Sequence, residues 1–176
     1  MMPRFLAGLP SAAFALFVLL SLWLPRSAHS SLVCPPSGER TVLRLQRSSQ
    51  PALACDLQAL ERLPSREIAT ALPLALGMPG QSRWRGVSLR QLVELMGGKE
   101  PQQIELTALN DYAVRIPWSD LVQYDPILAY RRNQQPISIR DKGPLILIYP
   151  FDQNPALQRQ DYINRTIWQV HVITVR

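Results

Sequence analysis

Ser138-Ile139-Arg140-Asp141-Lys142-Gly143-Pro144 runs directly into Leu145-Ile146-Leu147-Ile148-Tyr149-Pro150. A turn crowded with charge opens onto a short, unbroken apolar run that a proline closes. Such a run, bounded by Gly-Pro on one side and Pro on the other, reads as a strand buried on both faces. Charged groups at the mouth of a buried strand are held in place by the core behind them, which is how a fold presents a site to a small anionic ligand. A strand whose preceding turn is merely charged is the plainer reading of the same residues.

Working outward, the first thirty residues stand apart. Arg4 precedes an apolar tract from Phe5 to Leu24, and Pro25, Arg26 and the small-residue run Ser27-Ala28-His29-Ser30 follow. A basic start, an apolar middle and a small-x-small exit describe a secretory signal peptide over residues 1–30, cut after Ser30, and hence a periplasmic or secreted protein. The competing reading is an uncleaved anchor. Gly8, Pro10 and Ser11 interrupt the tract and favour cleavage. Val33, which is not small, argues against Cys34 as a lipid-attachment site.

Residues 31–176 then form one domain of 146 residues (176 less the leader's thirty), enough for an ordinary core. Seventeen basic and thirteen acidic residues remain, a net charge of +4 once Arg4 and Arg26 are set aside. The arginines are scattered, without basic runs or interleaved aromatics, so nucleic acid is not an expected partner. The two cysteines, Cys34 and Cys55, both lie in the exported part, and an even pair in an oxidising compartment suggests one disulfide. Two free thiols, one of them a metal ligand, is the alternative.

Along the chain, Thr41–Gln46 reads as a strand and 47–51 as a turn. Asp56 caps a short helix through Leu57, Leu60 and Leu63 that Pro64 ends. Glu67–Pro73 reads as a strand, and Ser88 caps a helix carrying Leu89, Leu92, Val93 and Met96, closed by Gly97-Gly98. Ile104–Ala108 and Tyr112–Pro117 form a hairpin about Asn110-Asp111. Ser119 caps a short helix through Leu121 and Val122, Asp125-Pro126 starts another over Ile127, Leu128 and Ala129, and a polar loop through Asn154-Pro155 leads to a last strand, Ile167–Val175. In that strand Trp168, Val170 and Val172 share a face. Short strands and helices in mixed order indicate an α+β domain with a mixed sheet.

Standard catalytic sets are missing. His171 is the one histidine outside the leader, and no Ser-centred nucleophile motif, phosphate-cradling glycine loop or paired-cysteine zinc spacing is present.

The segments Trp84-Arg85-Gly86-Val87-Ser88-Leu89-Arg90-Gln91-Leu92-Val93, Ala108-Leu109-Asn110-Asp111-Tyr112, Ile116-Pro117, Ile127-Leu128-Ala129, Ile139-Arg140-Asp141-Lys142-Gly143-Pro144, Ile148-Tyr149-Pro150-Phe151-Asp152 and Arg165-Thr166-Ile167-Trp168-Gln169-Val170 carry, in this order, a resemblance. The chain resembles the molybdopterin-binding domain of the sulfite oxidase fold, in particular short exported bacterial members. The resemblance implies a domain able to enclose a pterin whose dithiolene carries molybdenum. Arg140, Asp141, Lys142 and Gly143 match the family's cofactor-holding turn, and Arg165 and Thr166 the start of its late segment. Guanidinium and ammonium donors suit a pterin phosphate, and glycine admits close backbone approach. Tyr112 and Trp84 are the candidate aromatic walls, or else buried core aromatics.

Two departures follow from the same comparison of motifs. Active members bind molybdenum through a cysteine on an early strand, where this chain has Ala71, and a methyl group cannot replace a soft thiolate. Trp168 stands where the enzymes carry a phosphate-facing lysine. No Arg-Arg pair precedes the apolar tract, unlike the twin-arginine leaders of cofactor-loaded members. The implied protein is an exported, non-catalytic ligand-binding or accessory module, whose expected partners are a small anionic ligand or pterin and a membrane signalling or redox protein. The alternative is an active periplasmic molybdopterin-dependent oxidoreductase.

Overall fold

The computed structural model describes residue 34, residues 40–47, 51–101 and 103–176. The expected leader and most of the 47–51 turn lie outside these residues. In chain order the elements are β1 (Leu43–Arg47), β2 (Leu53–Cys55), α1 (Leu57–Glu61), β3 (Ser65–Ala71), β4 (Gln81–Ser88), α2 (Leu89–Leu95), β5 (Ile104–Ala108), β6 (Ala113–Ile116), α3 (Trp118–Gln123), β7 (Ile127–Arg132), β8 (Gln135–Pro136), β9 (Ile146–Ile148), α4 (Gln160–Arg165) and β10 (Val170–Val175). Single 3-10 turns cover Leu74–Leu76, Phe151–Gln153 and Pro155–Gln158.

The strands make two five-stranded sheets. One has the order β2-β1-β10-β5-β6 and is mixed, because β1 and β10 run parallel. The other runs β3-β4-β7-β8, with β9 also pairing β7. The α+β class expected from the sequence is therefore the observed one.

The opening stretch forms the seam between the sheets. Residues Leu145 to Tyr149 are fully buried. On one side β9 pairs antiparallel with β7. On the other, Leu147 N–H donates to the Ile167 carbonyl at 2.9 Å and Val170 N–H donates to the Leu145 carbonyl at 3.0 Å. A strand hydrogen-bonded on both edges and apolar on both faces has no solvent-facing positions, which is why its sequence shows no alternation.

Two of the three capping signals hold, whereas Ser119 lies inside α3, whose N-cap is Pro117. Asp56 accepts from Ala59 N–H at 2.7 Å ahead of α1, and Ser88 Oγ accepts from Gln91 N–H at 3.2 Å ahead of α2. Cys34 and Cys55 form a disulfide, tying the entering chain to the edge strand β2.

Three further expectations need correction. The segment after Asp125-Pro126 is not a helix but β7, whose first four residues are buried on both faces between β4 and β9. Short apolar runs do not distinguish a buried strand from a helix, and here sheet pairing decided it. The stretch after Asn154-Pro155 is not all loop, since α4 follows it. Finally, Trp168, Val170 and Val172 do not share a strand face. Gln169 has φ of 55° and a bulge separates Val170 from Val172, so the residues pointing inward are Val170, Ile173 and Val175.

Candidate functional site

Beside the seam lies a cavity of about 370 Å³. Its walls come from four places: Ala75 and Leu76 of the first 3-10 turn, Ala108 and Tyr112 flanking the β5–β6 turn, Ile163 and Asn164 of α4, and Thr166 to Trp168 on the approach to β10. No lysine, arginine, aspartate or glutamate lines it.

The 138–144 turn stands next to this cavity and is tightly self-bonded. Ser138 Oγ donates to Asp141 Oδ2 at 2.7 Å and accepts from Asp141 N–H at 3.1 Å, and Gly143 N–H donates to the Ser138 carbonyl at 2.7 Å. Gly143 is required by a close approach: a Cβ there would lie 2.1 Å from the Ile137 carbonyl oxygen. The turn is fastened to the late segment as well, because Gln169 N–H donates to the Lys142 carbonyl and Gln169 Nε2 to the Ile139 carbonyl, both at 3.0 Å.

The candidate cations are not equivalent. Lys142 is half-buried; its ammonium donates to the Leu76 carbonyl and lies over the Trp168 ring. Arg165 donates to Asp120 Oδ2 at 2.9 Å and lies over the Tyr162 ring. Asp120 is 4% exposed and also accepts from the Tyr149 hydroxyl at 2.8 Å. Burial, and then the Asp120 carboxylate, push the Tyr149 phenol well above its usual pKa. Tyr124 and Tyr162 join the group through their hydroxyls, 3.3 Å apart, and that hydrogen bond, followed by burial, raises the Tyr162 phenol. Arg140 alone of the three cations is exposed and makes no ion pair or hydrogen bond among the described residues.

Of the remaining sequence candidates, Tyr112 is half-exposed at the cavity rim, with its hydroxyl donating to the Asn164 carbonyl at 3.4 Å. Thr166 is buried in the wall, and its hydroxyl donates to the Tyr162 carbonyl at 3.0 Å. Trp84 lies elsewhere: it is fully buried in β4, donates to the Thr70 carbonyl at 3.4 Å, and carries Arg132 over its ring. His171 borders a separate hollow of about 210 Å³ with Leu109 and Ile139. The structure thus brings Tyr112, Thr166 and Trp168 to one cavity with Lys142 behind it, and leaves Trp84 in the core.

Sequence reasoning missed Leu76, Asp120, Gln160 and Asn164. Only Asp120 carried any cue, as an acidic residue in the first turn of α3. The others reach the cavity through a 3-10 turn and a short polar helix, neither of which shows an apolar period.

The fold and the cavity define an α+β domain of the molybdopterin-binding type. The family described as oxidoreductase molybdopterin binding domain matches residues 40–152, and the chain belongs to that family. Among solved structures, the sulfane dehydrogenase SoxCD from Paracoccus pantotrophus is similar in fold, with a TM-score of 0.56 and 15% identity. The likeness covers 76% of this chain but only 37% of that one, so this chain spans little more than a third of its length. No curated protein matches the chain.

The donor set does not fit a molybdenum-carrying pterin. Both cysteines of the chain are joined in the Cys34–Cys55 bridge at the edge of the first sheet. Ala71 ends β3 and donates its N–H to Asp152 Oδ2 at 2.8 Å, so that strand end carries a methyl group and no sulfur. Two of the three candidate cations are engaged by protein groups, and the cavity wall bears no formal charge. Among the described residues no buried side-chain nitrogen or oxygen lacks a partner. A phosphate placed in this cavity would be desolvated without a paired cation, and a metal would meet no sulfur.

Proposed function

We propose that this chain is an exported, non-catalytic member of its family, a ligand-binding or accessory module that retains the fold and cavity without the molybdenum chemistry. The observation that carries the reading is the state of the sulfurs: the chain has two cysteines, and both are in one disulfide. A thiolate is the soft ligand the family's metal site uses, and nothing at Ala71 replaces it.

The bridge also supports an oxidising, extracytoplasmic location, in line with the basic-apolar-small pattern of residues 1–30. Its partner in this reading is a membrane signalling or redox protein that uses the module as an external sensor or accessory. Among the described residues no helix is long and apolar enough to cross a membrane.

A second reading, an active molybdopterin-dependent oxidoreductase without a protein thiolate, has one observation in its favour. The Asp152 carboxylate lies against the Ala71 backbone, close to where the metal ligand would stand. It is a hard oxygen donor already accepting a backbone hydrogen bond, and we rank this reading second. Oxidative release of pterin from natively exported protein, followed by fluorescence, separates the two. No fluorescent pterin is the expected result, and one equivalent per chain would overturn the non-catalytic reading.

A further inference from the structure

The walls of the 370 Å³ cavity are aromatic, aliphatic and neutral. Tyr112 and Trp168 both contribute to them, and the polar groups at the rim are the amides of Asn110, Gln160 and Asn164. These amides are only partly used. Asn110 Oδ1 accepts from Tyr112 N–H at 3.3 Å, and Gln160 Nε2 donates to Asn164 Oδ1 at 2.7 Å. The amide nitrogens of Asn110 and Asn164 and the Oε1 of Gln160 make no hydrogen bond among the described residues. The rim therefore offers both donors and an acceptor, and no formal charge.

The neighbouring cations are engaged by protein groups, Arg115 of the adjoining hollow by Glu105 at 3.7 Å. Lys142 spends its ammonium on the Leu76 carbonyl and the Trp168 ring, and Arg165 is bound to Asp120. An anion entering this cavity would lose hydration and meet no cation in its walls, whereas an uncharged ring would gain aromatic contact and keep its polar edge bonded.

We propose that this cavity binds a small, uncharged, planar lactam-type heterocycle, its ring against Trp168 and Tyr112 and its amide edge on the Asn110–Gln160–Asn164 rim. The inference rests on the reading that the cavity does not house a molybdenum-pterin, and it replaces the anionic ligand expected from the charged turn with a neutral one. Selection against anions is part of the inference, because the aromatic ring at position 168 both lines the cavity and occupies the Lys142 ammonium beside it.

The test uses two probes of similar size that differ in charge, 2-quinolinone and quinoline-2-carboxylate, titrated into the exported protein by calorimetry. We expect 2-quinolinone to bind at least tenfold more tightly than the carboxylate. Tyr112→Ser, at a half-exposed position, should weaken it about tenfold while leaving the melting temperature within a degree or two. Equal or tighter binding of the carboxylate, failure of both probes to bind, or an unchanged affinity in Tyr112→Ser would each overturn the proposal. Pterin released from the same preparation would instead remove the reading beneath it, so the two failures are distinguishable.

Discussion

The ammonium of Lys142 sits 4.3 Å from the centre of the Trp168 ring. Both residues occupy positions that the sequence motifs associate with an anionic cofactor, yet in this chain they satisfy each other. The same ammonium holds the Leu76 carbonyl, so one side chain links the charged turn, the 3-10 turn at 74–76 and the approach to β10. Lys142→Met should remove the cation–π contact and leave that carbonyl unpaired, lowering stability by about 1–2 kcal/mol in urea unfolding. It should also speed proteolysis within 72–80, where Leu74 is 82% exposed. An unchanged unfolding midpoint would mean the link contributes nothing.

Gly143 is the position in the turn where a methyl group has no room. A Cβ would meet the backbone of Ile137 at 2.1 and 2.6 Å, and backbone cannot step aside as a flexible side chain can. Gly143→Ala should therefore cost more than about 3 kcal/mol or abolish soluble expression. Gly80→Ala is the contrast: open space surrounds it, but its φ of 87° makes alanine strained, and about 1 kcal/mol is expected. Thermal denaturation of the two variants side by side checks the order.

How much of this was legible in the sequence differs from element to element. The β5–β6 hairpin, the caps at Asp56 and Ser88 and the buried run at 145–149 follow from local chemistry that needs no tertiary context. β7 was misread because a strand buried on both faces shows no period of two, and Asp-Pro ahead of it imitates a helix start. β10 was misread because its face is set by a bulge and by the positive φ of Gln169, which the residue types do not announce. At the site, the residues of the charged turn were visible, but their partners were not. Lys142 itself has φ of 69°, and whether its ammonium faces a ligand or the protein depends on a turn sixty-six residues away in sequence.

The Tyr149–Asp120–Arg165 group predicts an alkaline signature. The Tyr149 phenol has a folded-state pKa raised above its unfolded value, so the folded chain retains a proton that the unfolded chain loses. Its stabilisation is complete below the unfolded pKa of about 10 and is lost as pH rises through the folded value. The melting temperature should fall above pH ~10, and Tyr149→Phe should make that fall shallower. Asp120→Asn should cost about 2–3 kcal/mol at neutral pH, less than the about 3–5 kcal/mol of a fully buried pair because Arg165 is a quarter exposed. A pH profile identical in Tyr149→Phe and the parent would exclude Tyr149 as the titrating group.

The disulfide makes a separate prediction. It joins residues twenty-one apart and stabilises chiefly by restricting the unfolded chain, which corresponds to about 3 kcal/mol. The double substitution Cys34→Ser with Cys55→Ser should lower stability by about that amount, read from denaturant midpoints. Binding of a neutral ring compound should persist, because neither cysteine lines the cavity.

Molybdenum content tests most directly the proposal that no sulfur of this polypeptide reaches a metal in the cavity. Protein exported from cells supplied with molybdate, purified without chelators, should contain far less than one molybdenum per ten chains by mass spectrometry, with no thiol reactive before reduction. One molybdenum per chain, retained after gel filtration, would contradict the account.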